Sequence, residues 1–118
     1  FQTHRWDSER EMFAMEPNPE FVAQVRKWAE AGDTILVTCR SGERGAMAVN
    51  LLAEAGFTNA YNIVDGMEGG LVKDPDSVFN GRRMKNGWQN SGLPWTYEIN
   101  LDQVWIPEKF KAAIEQIQ

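Results

Sequence analysis

Ile35-Leu36-Val37-Thr38-Cys39-Arg40-Ser41-Gly42-Glu43-Arg44-Gly45 is the stretch on which the fold turns. Its first four residues are an apolar run with two β-branched members, Ile35 and Val37, entered through Asp33-Thr34. That composition predicts a buried strand. From about Glu43 to Ala55 the pattern becomes helical, and Gly56 is the stop signal. The helix is apolar on most sides, through Ala46, Met47, Ala48, Val49, Leu51, Leu52, Ala53 and Ala55. Glu43, Asn50 and Glu54 leave only a narrow polar stripe, so the helix is expected to be largely covered. Ala60-Tyr61-Asn62-Ile63-Val64 predicts the next strand, closed by Asp65-Gly66. Strand, helix and strand together make a βαβ unit with a right-handed crossover.

Upstream, Asn18-Pro19-Glu20 is a helix start: Asn18 can cap, Pro19 suits the first position and Glu20 favours the positive end. Phe21, Val22, Val25, Trp28 and Ala29 share one face, and Gly32 ends the run. Phe1 to Met15 shows no sustained period and is expected to be an irregular surface segment. Downstream, Glu68 to Pro94 is rich in Gly, Asn, Ser and Lys/Arg. It is expected to be an extended loop over the domain, anchored by Trp88 and Trp95. Pro107 starts a final helix with Phe110, Ala113, Ile114 and Ile117 on one side. Two strands alone do not make the covered parallel sheet that a βαβ unit requires. Further strands come from the segments read here as irregular, or from a partner subunit, or lie upstream of Phe1; the last is the favoured expectation, and such an incomplete edge favours pairing into a homodimer.

The chain has 118 residues, enough for one domain, with a core over about 19–70 and an extension over about 71–118. A net charge of −5 argues against a nucleic-acid partner, which needs a basic excess. No apolar run is long enough to span a bilayer. The chain begins at Phe1 and not at Met, so the compartment, cytoplasm or periplasm, is left open. Five Trp are expected to bury themselves against the core. The single histidine, His4, is isolated and is assigned no role. The single cysteine, Cys39, makes no internal disulfide, and with His4 alone it makes no metal site.

A lone cysteine is either a small buried hydrophobe or a reactive thiol, and its neighbours decide which. Cys39 stands at the carboxyl end of a buried parallel strand, where open α/β sheets place their ligands. The helix that follows directs its unpaired N–H groups and positive dipole end at the thiol. A short turn containing Gly42 can aim successive amides inward as an anion nest. Arg40 and Arg44 add positive charge. Each effect favours the thiolate, the nucleophilic form.

The segment Cys39-Arg40-Ser41-Gly42-Glu43-Arg44, after Ile35–Thr38 and before an Ala-rich helix ending at Gly56-Phe57, resembles the active-site loop of rhodanese-like domains. Ala60-Tyr61-Asn62-Ile63-Val64-Asp65-Gly66 resembles that family's next strand and glycine turn. The resemblance spans about Pro19 to Gly70. It implies an α/β fold with a parallel sheet flanked by helices and transfer of sulfane sulfur through a Cys39 persulfide. It implies no metal or organic cofactor. The donor would be a small anion such as thiosulfate, and the acceptor a thiol or a protein. The amides of Arg40, Ser41, Gly42, Glu43 and Arg44 would cradle the outer sulfur, as an oxyanion hole holds developing charge. Arg40 would attract the donor, Arg44 would brace the loop, and the Glu43 side chain would point outward without chemistry. The family's Asp-Val-Arg-type strand and His-Ile/Ala-Pro-Gly-type turn are absent ahead of Pro19, and the tryptophan that family often carries a few residues after the glycine turn is absent after Asp65-Gly66.

Other readings weigh less. Cysteine phosphatases place one more residue between cysteine and arginine than the four here, Arg40 to Glu43. A shorter cradle suits a sulfur atom better than a phosphate. Arsenate reduction lacks a second, resolving cysteine. A non-catalytic binding module has no need of the thiol. A relay to a dedicated protein would use Trp88, Trp95 and Trp105 as a docking surface, whereas packing over the core is the simpler role for those rings.

Overall fold

Two strands, β1 (Gln2–Asp7) and β2 (Met12–Pro17), open the computed structural model, which describes residues 2–116. They pair antiparallel with Trp6 opposite Phe13, replacing the irregular segment expected before Met15. The turn explains the hairpin. Asp7 Oδ1 accepts hydrogen bonds from the amides of Glu9 and Arg10, and Glu11 adopts the left-handed conformation. Trp6 and Phe13 meet edge to face at 5.2 Å, and Arg5 bonds Glu16 at 2.6 Å.

Helix α1 (Phe21–Val25) is shorter than the run predicted to Gly32, and the chain leaves it through successive turns. Asn18 does organise its start, with Oδ1 accepting from the Glu20 amide and the carbonyl from Phe21. Strand β3 (Ile35–Val37), helix α2 (Glu43–Glu54) and strand β4 (Ala60–Asn62) form the predicted βαβ unit. β3 and β4 pair in parallel, Val37 opposite Asn62. α2 ends in a Schellman motif: Phe57 N–H bonds Leu52 C=O, Gly56 N–H bonds Ala53 C=O, and Gly56 takes φ +96°. The hydrophobic contact of that motif is the centre of the core, where Leu52 and Phe57 pack with Val25, Ala29 and Ile35. Arg26 Nη2 caps the same helix end through the Ala55 carbonyl at 2.8 Å.

The coverage expected of α2 is not found. Gly45, Ala48 and Leu52, at helical spacing, are its buried residues, while Met47 and Leu51 are exposed. The parallel pair is likewise covered on one face only, by α2. Leu36 (67 % exposed) and Tyr61 (55 %) stand open on the other.

In place of the extended loop after Glu68, β5 (Gly70–Leu71) and β6 (Arg83–Lys85) form a second antiparallel hairpin. The protein is thus a mixed structure of helices and three two-stranded sheets, β1–β2, β3–β4 and β5–β6. A broad parallel sheet flanked by helices is not what forms among the described residues. The extra strands do exist, but each pairs with its neighbour in sequence and none joins β3–β4.

Helix α3 (Glu108–Glu115) follows Pro107 as predicted, yet Phe110 on its apolar side is half exposed. Ile117 and the side chain of Ile114 lie outside what the structure describes. The tryptophans do not close the core: Trp6, Trp28, Trp95 and Trp105 are all exposed, and Trp88 is half-buried. Among the described residues no helix is long and apolar enough to cross a membrane.

Candidate active site

Cys39 follows the last residue of β3 by two positions and precedes α2 by four. The turn between them is closed by Gly42 at φ +103°, which lets its amide face back toward the cysteine. The Gly42 N–H donates to Cys39 Sγ at 3.0 Å and the Gly45 N–H at 3.3 Å. Burial of the half-buried thiol pushes its pKa up. The amides of Gly45, Gly42, Ser41 and Arg44 outweigh that and bring the pKa below the ordinary thiol value. Of the cradle expected from Arg40 through Arg44, the Gly42 amide hydrogen-bonds the sulfur, and those of Ser41 and Arg44 add to the lowering of its pKa. The amides of Arg40 and Glu43 are not among those donors. Gly45, one residue beyond the predicted set, is.

Neighbouring segments hold this turn in place. Asn62, at the end of β4, donates from Nδ2 to the Gly42 carbonyl at 3.1 Å. Its Oδ1 is buried against Gly45 without a hydrogen-bond partner. A Cβ on Gly45 would collide with that oxygen, so the glycine is what allows the first turn of α2 to press against β4. On the other side, Met67 N–H bonds the Cys39 carbonyl at 2.8 Å and Glu68 N–H the Arg40 carbonyl at 2.9 Å. Gly66, at φ +65°, lies so close beneath that a Cβ would overlap the Cys39 and Arg40 carbonyls. The extension buttresses this layer in turn: Trp88 N–H bonds Gly66 C=O at 2.9 Å and Gln89 N–H bonds Met67 C=O at 3.0 Å.

Cys39 opens into a cavity of about 390 Å³, whose walls include Phe21, Val37 and Ala48 from the core side. Arg44 is the cation on that wall. A carboxylate partner for the brace expected of Arg44 is not found: no ion pair among the described residues involves it. Arg40 does not line that cavity; it lines a separate recess, together with Ser41 and Glu43. Glu43 is exposed in the first turn of α2. The N-terminal hairpin completes the Cys39 cavity with Gln2, His4 and Met15. His4, isolated in sequence, thus lines the same cavity as the thiol. Nothing local in the sequence marks it, because the hairpin that carries it over the loop was itself illegible. Gly45 and Asn62 were legible in principle: a glycine in the first turn of a helix is costly, which marks a close approach there. No group of three or more potential metal ligands gathers among the described residues.

Residues 9–72 match the family model described as "Rhodanese-like domain". Curated relatives match over lengths similar to that segment. An uncharacterized protein of Rickettsia prowazekii is 36% identical over 63 residues, covering 53% of this chain and 42% of its own length. The chloroplastic thiosulfate sulfurtransferase 16 of Arabidopsis thaliana is 42% identical over 52 residues, 44% of this chain and 43% of that protein. The senescence-associated protein DIN1 of Raphanus sativus is 42% identical over 52 residues, with 28% of its length covered. The match therefore spans less than half the length of each of these relatives.

Proposed function

The chain belongs to the rhodanese-like domain family, and from that premise we propose that it is a sulfurtransferase working through a persulfide on Cys39. The observation that carries this reading is the set of backbone N–H donors converging on Cys39 Sγ, Gly42 at 3.0 Å and Gly45 at 3.3 Å. A thiolate so held attacks the outer sulfur of thiosulfate. The S–S bond of the donor breaks, sulfite leaves with the bonding pair, and the sulfur remains as Cys39–S–S⁻. The charge has only moved outward by one atom, so the same amides that hold the thiolate hold the persulfide. An acceptor nucleophile then attacks the outer sulfur and Cys39 leaves as thiolate. No oxidant is needed in either half. Arg44, on the wall of the Cys39 cavity, is placed to meet the anionic donor. Resemblance to the Arabidopsis protein named as a thiosulfate sulfurtransferase supports thiosulfate as the donor to try first.

The test is a thiosulfate-to-cyanide assay on this chain beside Cys39→Ser, with intact mass recorded after thiosulfate treatment. The native chain is expected to gain one sulfur atom and form thiocyanate, and the variant to do neither. A folded native chain that gains no sulfur would overturn the reading.

A further inference from the structure

The separate recess beside the Cys39 loop has a volume of about 560 Å³ and lies between that loop and the β5–β6 hairpin. Four cations line it, Arg40, Lys73, Arg83 and Lys85, against two carboxylates, Glu43 and Asp65. In a chain whose net charge is −5, this is a local reversal of sign. Arg83 is committed to structure, donating from Nη1 to the Gly69 carbonyl at 3.0 Å. None of the ion pairs among the described residues uses Arg40, Lys73 or Lys85. Cations left without counter-ions around one concavity favour an anion there. Lys73, Arg83 and Lys85 also lie beyond the segment that the family model matches, so family membership gives them no task.

The recess does not contain Cys39, and what binds in it must be a group remote from the sulfur that reacts. A third recess, of about 460 Å³, adjoins both. It shares Gln2, Met15 and Arg44 with the Cys39 cavity, and Arg40, Ser41 and Glu43 with the cationic recess. A molecule seated along this path holds one end at Cys39 and the other among the lysines. Thiosulfate is too compact to do so. We propose that the recess beside β5–β6 is a subsite for the carboxylates of an acidic thiol, the sulfur acceptor, with Lys73 and Lys85 as its specificity-determining residues. The proposal rests on the sulfurtransferase reading above. In the step it serves, the acceptor thiolate attacks the outer sulfur of the Cys39 persulfide, the bond to Cys39 breaks, and a new persulfide leaves on the acceptor. The acceptor's thiol proton goes to solvent and Cys39 returns as thiolate.

Two matched thiols test it, acetyl-Cys-Asp-Asp-amide and acetyl-Cys-Asn-Asn-amide, equal in size and differing in charge. The chain is loaded with thiosulfate, freed of excess donor, and discharged by each peptide in single turnovers, alongside a Lys73→Gln/Lys85→Gln double variant. The native chain is expected to half-saturate at about fivefold lower concentration of the Asp peptide than of the Asn peptide, the effect of two exposed cations. The double variant loses that preference while its rate with the Asn peptide stays within about twofold, and added salt erodes the preference in the native chain. Equal half-saturation by the two peptides in the native chain would overturn the subsite, as would an equal weakening of both in the variant. If no persulfide forms, the sulfurtransferase reading fails on its own. Calorimetry with the S-methylated Asp and Asn peptides then still reads the recess, and equal binding of the two overturns the proposal.

Discussion

Residues 35–62 and residues 93–116 carry apolar side chains in similar profusion and do opposite things with them. In the first segment Ile35, Ala48, Leu52 and Phe57 are buried, and the turn between strand and helix is crossed by hydrogen bonds from two other segments. In the second, Trp95, Tyr97, Ile99, Val104, Trp105 and Phe110 are all exposed, and its regular structure is one three-residue 3-10 turn and α3. Apolar content does not by itself make a core. A core requires side chains repeating on one face, and a second element whose face is turned toward them. The βαβ unit has both, and the site inherits its rigidity. The tail has the residues without the facing surface.

Leu52→Ala is the strongest test of this contrast. Leu52 is 1 % exposed, and its loss is expected to cost about 3 kcal/mol in urea unfolding. A value near zero would mean that the core is not where the packing places it. Gly45→Ala probes the link from core to chemistry. The added Cβ displaces Asn62 or the first turn of α2, and with it one amide on Cys39 Sγ. Sulfur transfer should fall by about a hundredfold, the low end of the effect of losing one preorganised donor. Thermal unfolding recorded beside it tells whether the loss is local.

A smaller effect is a pH dependence. The folded-state pKa of Cys39 lies below that of the unfolded chain, so its thiolate stabilises the fold above the unfolded value. That contribution is lost as pH falls through the folded value. The stability of the native chain relative to Cys39→Ser should therefore rise with pH across that window. Iodoacetamide at neutral pH should also alkylate the folded native thiol faster than the thiol unfolded in urea. The reverse order would remove the electrostatic case for the nucleophile. The least effect is expected from Trp95→Ala, about 0.5 kcal/mol, because an exposed ring edge-on to Tyr97 at 5.0 Å has little else to lose. If this variant unfolds as readily as Leu52→Ala, the tail belongs to the core after all and the contrast collapses.

How far the fold could be read beforehand follows the same line. β3, α2 and β4 were legible because their patterns are local: β-branched apolar runs, a long helical run, and Gly56 at its end. Cys39 could be read as the candidate reactive thiol because a strand, a glycine turn and a helix start leave few other uses for a thiol placed there. The hairpins β1–β2 and β5–β6 were not. Their strands are mostly exposed on both faces, so no alternation between polar and apolar residues marks them. α2 was expected to be covered all round because its composition is apolar, but composition cannot count how many elements are available to cover it.

The sequence by itself determined the βαβ unit, the place of Cys39 at the end of its first strand, and the bias of its surroundings toward the thiolate. These depend on contacts within a few residues or on one strand pairing. Only the tertiary structure decided which amides meet the sulfur, that Arg44 and not Arg40 shares its cavity, and that His4 and Lys85, far from the loop in sequence on either side, line recesses against it. Such choices depend on where segments far apart in sequence come to rest against each other, and no local pattern of residues records that distance.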